Sequence, residues 1–266
     1  MMRRYGGLAA LLIALAPAEA VAQNSDGLAR ARQLYNQRKF QAAVLAADEA
    51  RSQPGRAASA DLIAARAFLE RFRESAAADD LSQARQRLRR LDPLRFLPRE
   101  RVEYIVGLGE TLYFEGSYGA AADAFDSMLA QSGALAGEER ERVLDWWATA
   151  LDRDARPRPE IDRLAIYQRV RDRMHAELGA TPTSVTAIYW QSAAARGQGD
   201  LQSAWDAAQA GWVQAPLAGA RGSVLRADLD RLVLDALVRE RARASGQPAA
   251  TLQQEWERFK ERWTGP

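Results

Sequence analysis

One pattern of small and large residues occurs three times in this chain of 266 residues, and it restricts the fold more than any other feature. The clearest copy lies in residues 108–125, where Gly109 is followed twelve residues later by Ala121. Copies with the same spacing start at Ala31 and at Ser192. Small residues at fixed positions let two helix axes approach closely. The pattern therefore predicts three pairs of packed helices, each joined by a tight turn.

Two further equivalent positions can be assigned in the three copies. Seven residues after the small reference residue stands the turn position, where a left-handed backbone is expected to end the first helix. Nine residues after it stands a large residue that fills the space beside the turn. The turn residues are Arg38, Gly116 and Gly199, and the large residues are Phe40, Tyr118 and Leu201.

The rest of the chain also has the composition and periodicity of helices. Alanine and arginine are frequent and favour helices, and apolar residues recur three and four positions apart, without the alternation typical of strands. Proline and glycine divide the chain into about a dozen helical segments. Thr181 followed by Pro182 fits an N-cap and a first helical residue, so a helix is expected to begin there. The predicted fold class is all-α.

The second copy of the pattern resembles a known repeat signature. Its matching residues are Leu108, Gly109, Leu112, Tyr113, Gly116, Tyr118, Ala121 and Phe125. Together they resemble the tetratricopeptide repeat, a helix-turn-helix unit of about 34 residues that stacks into a superhelix. The resemblance extends over residues 25 to 216 and implies a right-handed α-solenoid.

The units implied by this resemblance differ in regularity. They span about residues 25–54, 56–93, 98–132, 138–178 and 183–216, within a repeat domain of residues 23–216. The second and fourth units depart from the pattern, with an apparent insertion at residues 76–79 and another at 154–159. Residues 217–266 are expected to form helices that cap the last apolar face, because a stack of repeats exposes one at its end.

The resemblance also implies a binding surface, because in this family the first helix of each pair lines a concave groove. The corresponding residues are Arg32, Tyr35, Asn36, Glu110, Tyr113, Phe114, Thr149, Asp152, Arg153, Tyr189 and Arg196. Their mixture of aromatic, arginine and amide side chains suits an extended peptide. An ordinary solvated helix face would have a similar composition, and both interpretations stay open. Trp147 falls at a core position, whereas Trp146 and Trp190 are expected between helices or on the groove.

The first 22 residues have the layout of a cleavable secretory signal. Arg3 and Arg4 precede a short apolar run at residues 8–16, and the segment closes with small residues that predict cleavage after Ala22. The mature protein is therefore expected in the periplasm or outside the cell. No later segment is long and apolar enough to predict a transmembrane helix.

Composition excludes several classes of site. The chain has no cysteine, so disulfides and thiolate metal sites are excluded. Its formal charge of +2 lacks the basic excess that nucleic-acid binding requires. The single histidine, His175, has no triad or zinc partners nearby in the pattern. The acidic pairs Asp79–Asp80 and Glu138–Glu139 fit helix starts, where carboxylates complement the helix dipole.

Two functional hypotheses follow. The leading one is a non-catalytic scaffold, without cofactor or metal, that binds another envelope protein or a peptide through the concave face. The alternative is a cell-wall glycan hydrolase, or the helical accessory domain of an envelope enzyme, because paired carboxylates can hydrolyse a glycosidic bond. Self-association through the C-terminal helices is a further possible role.

Overall fold

The structure, a computed structural model, describes residues 27–130, 133, 135 and 137–264. The predicted signal segment at residues 1–22 lies outside the described residues. Within the described part every regular element is helical, which confirms the predicted all-α class. No helix in these ranges is long and apolar enough to cross a membrane.

The helices follow one another with short connections. The first seven are α1 (Gly27–Asn36), α2 (Phe40–Arg51), α3 (Ala57–Ser75), α4 (Ala78–Leu88), α5 (Pro98–Phe114), α6 (Tyr118–Leu129) and α7 (Gly137–Ala155). They are followed by α8 (Glu160–Ala180), α9 (Val185–Gly197), α10 (Leu201–Gln214), α11 (Gly222–Leu232), α12 (Val238–Ser245) and α13 (Ala249–Thr264). Short 3₁₀ segments occur at Pro93–Arg95 and Ala215–Arg221, and a π-helical turn at Val233–Leu237 joins α11 to α12.

A regular contact scheme runs through the molecule. From α1 to α9, each odd-numbered helix packs against the even-numbered helix that follows it and against the next odd-numbered helix. Each even-numbered helix from α2 to α10 also packs against the odd-numbered helix that follows it. The odd-numbered helices from α1 to α11 therefore form one continuous layer, and the even-numbered helices from α2 to α10 pack against it.

The three predicted turns share one backbone conformation. Arg38, Gly116 and Gly199 have φ angles of 59°, 81° and 79°, all in the left-handed region. In the first copy the backbone N–H groups of Arg38 and Lys39 donate to the carbonyl oxygens of Tyr35 and Leu34, and the other two copies repeat this pair of bonds at the equivalent positions. Such a pair of hydrogen bonds defines a Schellman motif, which satisfies the last carbonyls of the helix. The predicted equivalence of the turns is confirmed.

The small reference residues stand where two helices touch. A Cβ atom on Gly109 would lie 2.6 Å from Cε1 of Phe125, a ring that is completely buried. In the third copy, Ser192 is buried and its Oγ donates a hydrogen bond of 2.7 Å to the carbonyl oxygen of Ala204. Larger side chains at these positions would force the paired helices apart.

The two divergent pairs, α3–α4 and α7–α8, are built differently. Helices α3 and α7 each contain 19 residues, and the left-handed residue that ends α3 is Ala76, at φ 55°. The predicted helix start at Thr181 is wrong, because α8 continues to Ala180 and Thr181 closes it. The next helix is capped by Ser184, whose Oγ accepts a hydrogen bond from the backbone N–H of Ala187.

The C-terminal helix packs against the last regular pair. The Trp256 ring of α13 lies edge-on to the rings of Trp205 and Trp212 in α10, at centroid distances of 5.7 and 5.6 Å. Its indole N–H donates to Asp230 in α11, at 2.7 Å. Because Trp256 is completely buried, this contact covers the apolar face that α10 would otherwise expose.

Candidate functional site

Three cavities lie side by side along the layer of odd-numbered helices. The N-terminal cavity, of about 570 Å³, is bordered by α1, α3, α5 and α7. The middle cavity, of about 360 Å³, is bordered by α3, α5 and α7. The C-terminal cavity, of about 660 Å³, is bordered by α7, α9 and α11. Arg142 of α7 borders all three, so the cavities form one depression, which we call the groove.

Most of the residues that the sequence assigned to a concave face border this groove. Arg32, Tyr35 and Asn36 border the N-terminal cavity, and Glu110, Tyr113 and Thr149 border the middle one. Asp152, Arg153 and Tyr189 border the C-terminal cavity, which Thr149 also reaches. Two predicted residues, Phe114 and Arg196, border none of the three.

Phe114 and Arg196 instead hold helices together. The Phe114 ring packs edge-on against Phe72 of α3 and Trp146 of α7, at centroid distances of 4.9 and 5.6 Å. Arg196 donates hydrogen bonds of 2.7 and 3.0 Å to the Glu240 carboxylate of α12. This bond raises the pKa of the Arg196 guanidinium. Both side chains are therefore engaged in contacts between helices.

An ion-pair cluster lies at the N-terminal end of the groove. Arg32 of α1 donates to the carboxylate of Glu103 at 2.9 and 3.1 Å and to Glu100 at 3.3 Å. Both acceptors lie on α5, so this contact passes over α3. Tyr35 beside it accepts a hydrogen bond of 3.3 Å from Arg66, and burial raises the pKa of the Tyr35 hydroxyl.

The middle cavity contains the most deeply buried charges of the groove. The Glu110 carboxylate lies 3.8 Å from Nε of Arg66, and their side chains are 5% and 17% exposed. Burial raises the pKa of Glu110, and the nearby Arg66 opposes this shift. The Trp146 ring in the same cavity contacts Phe125, stacked at 6.2 Å, and the Arg73 guanidinium at 5.6 Å. Trp146 thus both packs between helices and borders the groove.

The C-terminal cavity combines carboxylates with aromatic rings. Asp145 accepts a hydrogen bond of 2.9 Å from the Trp190 indole, and Glu141 accepts one of 3.0 Å from the backbone N–H of Thr186. Burial raises the pKa of the Tyr189 hydroxyl in this cavity, and the charge of Asp228 adds to the shift. Each of these contacts joins neighbouring helices, and together they hold the cavity wall in place.

Two exposed arginines of the groove are free to contact a ligand. Within the described ranges, Arg142 and Arg153 make no hydrogen bond or ion pair, and both side chains are exposed. Arg142 lies between the carboxylates of Glu139 and Asp145 along the groove wall. The groove therefore offers hydrogen-bond donors and acceptors of both charges, a combination that matches the alternating donors and acceptors of a polypeptide backbone.

Sequence reasoning missed the contribution of α3. Arg66, Glu70 and Arg73 all border the middle cavity, but the second unit matched the repeat too poorly to be assigned groove residues. The signal was present, because Arg66 and Glu70 stand one and five residues after Ala65, as Arg32 and Asn36 do after Ala31.

Two further observations concern other kinds of site. His175 is exposed on α8 and borders none of the three cavities. Among the residues that the structure describes, no group of three or more histidine or acidic side chains has the arrangement of a metal site. Comparison of the chain with models of protein families, with curated proteins and with solved structures found no match.

Proposed function

We propose that the protein is an exported, non-catalytic scaffold that binds an extended segment of another envelope protein or a peptide in the groove. In this proposal the helix pairs form a right-handed, tetratricopeptide-like α-solenoid, with α11 to α13 as its C-terminal cap. The continuity of the groove carries the proposal, since Arg142 borders all three cavities. The odd-numbered layer thus offers one long surface, which is the shape that an extended chain requires.

The chemistry of the groove supports a polypeptide over a nucleic acid. Arginines and carboxylates alternate along its wall, so a polyanion would meet the carboxylates of Glu139, Glu141 and Asp145. A peptide backbone carries no net charge and offers donors and acceptors at every residue. Location in the envelope rests on the signal-like segment at residues 1–22 and on the absence of cysteine.

Selection from a phage-displayed library of random 12-residue peptides tests this proposal. We expect enriched sequences that bind the purified protein, with affinity about tenfold lower in an Arg142→Ala/Arg153→Ala double variant. The matched control is Arg90→Ala, which removes an exposed arginine outside the groove. Failure to enrich any sequence, or equal affinity in the double variant and the parent, would contradict the proposal.

One observation favours the second candidate function, a glycan hydrolase. Glu110 is a buried carboxyl group with a raised pKa, as a general acid requires, and it shares its cavity with Glu70 and Asp145. The test is the release of soluble fragments from purified peptidoglycan by the parent and by Glu110→Gln. Release by the parent that is abolished in the variant would establish hydrolysis, and no release by the parent would eliminate it.

A further inference from the structure

The loop of residues 89–97, which joins α4 to α5, exposes apolar side chains to solvent. Leu94 and Leu97 are 83% and 70% exposed, which are among the highest values for large apolar side chains in the described ranges. Single exposed leucines are common on protein surfaces. Two on one short loop place more apolar area in water, and this area gains free energy when a partner covers it.

Contacts within the protein hold this loop in shape. Phe96, which lies between the two leucines in sequence, is buried in an apolar cluster with residues of α3 and α4. Arg101 of α5 donates hydrogen bonds of 3.2 and 3.4 Å to the backbone carbonyl oxygens of Pro93 and Phe96. The Asp92 carboxylate accepts one of 3.0 Å from the backbone N–H of Leu94. Because the loop is already ordered, little conformational entropy is lost when it binds a partner.

Positive charge is concentrated beside the exposed leucines. Residues 89–101 contain five arginines and two carboxylates, a net charge of +3, whereas the whole chain carries +2. Arg89 and Arg90 are exposed and, within the part of the chain that the structure describes, make no ion pair. Arg95 and Arg99 form ion pairs of 3.4 and 3.6 Å, but their side chains are 85% and 90% exposed. Such exposed pairs are weak in water, so these arginines can exchange partners.

We propose that this loop, together with Arg99, binds the surface of a bilayer that contains anionic phospholipids. Leu94 and Leu97 enter the boundary between headgroups and acyl chains, and the neighbouring arginines contact the lipid phosphates. The guanidinium group suits this role, because it can donate two parallel hydrogen bonds to one phosphate. An acidic protein or a nucleic acid would engage the arginines and leave the leucines in water, whereas a bilayer engages both.

The loop lies at one end of the groove. Leu97 and Arg99 also border the N-terminal cavity, so bilayer binding would place that end of the groove beside the membrane. Arg89, Arg90 and Leu94 border none of the three cavities. Substitutions at these three positions therefore test lipid binding without altering the groove.

Co-sedimentation of the purified protein with vesicles tests the inference. We expect binding to vesicles of phosphatidylglycerol and phosphatidylcholine in equal parts, and binding at least tenfold weaker to phosphatidylcholine alone. Arg89→Gln/Arg90→Gln removes two charges and Leu94→Ser removes an apolar side chain. Each variant should bind the anionic vesicles about tenfold more weakly than the parent.

Matched controls separate the loop from the rest of the surface. Arg239→Gln/Arg243→Gln removes two exposed arginines from α12 and changes the net charge by the same amount. Leu217→Ser removes a leucine that is 71% exposed in the segment Ala215–Arg221. Both controls should bind the anionic vesicles like the parent.

Insertion of the loop can be measured directly, because the chain has no cysteine and a single introduced thiol can be labelled. A polarity-sensitive fluorophore on Leu94→Cys should shift its emission to shorter wavelength when anionic vesicles are added. The same fluorophore on Leu217→Cys is the control and should show no shift.

Four results would overturn the inference: no binding to anionic vesicles, equal binding to neutral ones, equal losses in the two double arginine variants, or unchanged emission from the label at position 94. Polyaspartate serves as a probe for an acidic protein partner. If it binds the parent and Leu94→Ser equally while vesicles do not bind, the loop recognises acidic chains and the bilayer is wrong. The proposed function is tested separately, since peptides selected by display should bind Leu94→Ser as tightly as the parent.

Discussion

Two kinds of helix pair pack into this fold in different ways. The regular pairs are α1–α2, α5–α6 and α9–α10, and the divergent pairs are α3–α4 and α7–α8. In the regular pairs a left-handed residue ends the first helix seven residues after a small contact residue. In the divergent pairs the first helix has 19 residues, and α3 continues past the position seven residues after Ala65. Both kinds of pair nevertheless keep the same contacts with their neighbours.

This difference coincides with the position of the charged residues of the groove. The divergent helices α3 and α7 provide Arg66, Arg73, Glu139, Arg142 and Asp145, which form most of the charged wall of the middle cavity. The regular pairs are restricted by their own close packing, as Gly109 against Phe125 illustrates. Residues that depart from the repeat are therefore the more informative ones about function.

The largest expected effect tests whether a divergent pair is packed as firmly as a regular one. Trp147 of α7 is completely buried, so Trp147→Ala is expected to lower the free energy of unfolding by about 3–5 kcal/mol. Its neighbour Trp146 is half-buried on the groove wall, and Trp146→Ala should cost less than half as much. Urea denaturation of both variants measures the difference. Similar losses would mean that α7 is loosely packed.

Two glycine-to-alanine substitutions are expected to change stability in opposite directions in the regular and the divergent helix pairs. Gly109→Ala in regular helix α5 places a methyl group against the Phe125 ring and should destabilise the protein by about 1–3 kcal/mol. Gly179→Ala in divergent helix α8 meets no atom within 4 Å. That change should stabilise the protein by about 0.5–1 kcal/mol, because alanine favours the helix. Thermal melts showing the same sign for both would refute the distinction.

Glu110 of regular helix α5 lies against Arg66 of divergent helix α3. We expect this buried carboxyl group to make the stability of the protein depend on pH. Burial raises the pKa of Glu110 above its ordinary value of 4.5. At a pH between the ordinary pKa and the raised pKa of the folded chain, the folded chain binds more protons than the unfolded chain. The free energy of unfolding therefore falls as pH rises. Glu110→Gln removes this dependence. The difference in unfolding free energy, variant minus parent, should increase with pH by at most about 1.4 kcal/mol per unit.

Urea titrations between pH 4.5 and 7 measure this difference. The control is Glu138→Gln at the exposed start of α7, which also removes one carboxyl group. A difference between Glu110→Gln and the parent that is constant across this range would contradict the expectation.

The smallest expected effects concern the turn position of the regular pairs. Gly116→Ala puts a Cβ into the left-handed region and should cost about 1 kcal/mol. Arg38 already stands at this position with φ 59°, so Arg38→Gly should gain about 0.5 kcal/mol, the relief of strain exceeding the entropic cost. Denaturation experiments that give changes of opposite sign would confirm that the turns are equivalent. A loss of stability in both variants would contradict this equivalence.

The sequence predicted the helices and the regular turns because both depend on local spacing. It also placed residues of α1, α5, α7 and α9 on a common surface, since one reference position fixes a helical face. Phe114 and Arg196 border none of the three cavities, and their partners Phe72 and Glu240 lie on other helices that local spacing does not reveal. The bond from Arg32 to Glu103 spans 71 residues, and no local pattern could predict it. The greater length of helix α3, with 19 residues, hid the match of Arg66 and Glu70 to the repeat.

The contact scheme of the fold has a kinetic consequence. Its main helix contacts join elements that are adjacent or separated by one helix, apart from that between α10 and α13. Chains whose contacts are local in sequence have a low contact order and fold rapidly, because little loop entropy is lost before each contact forms. Folding can begin at any helix pair and spread to its neighbours. The chain can thus gain structure in steps as it emerges, before its full length is available.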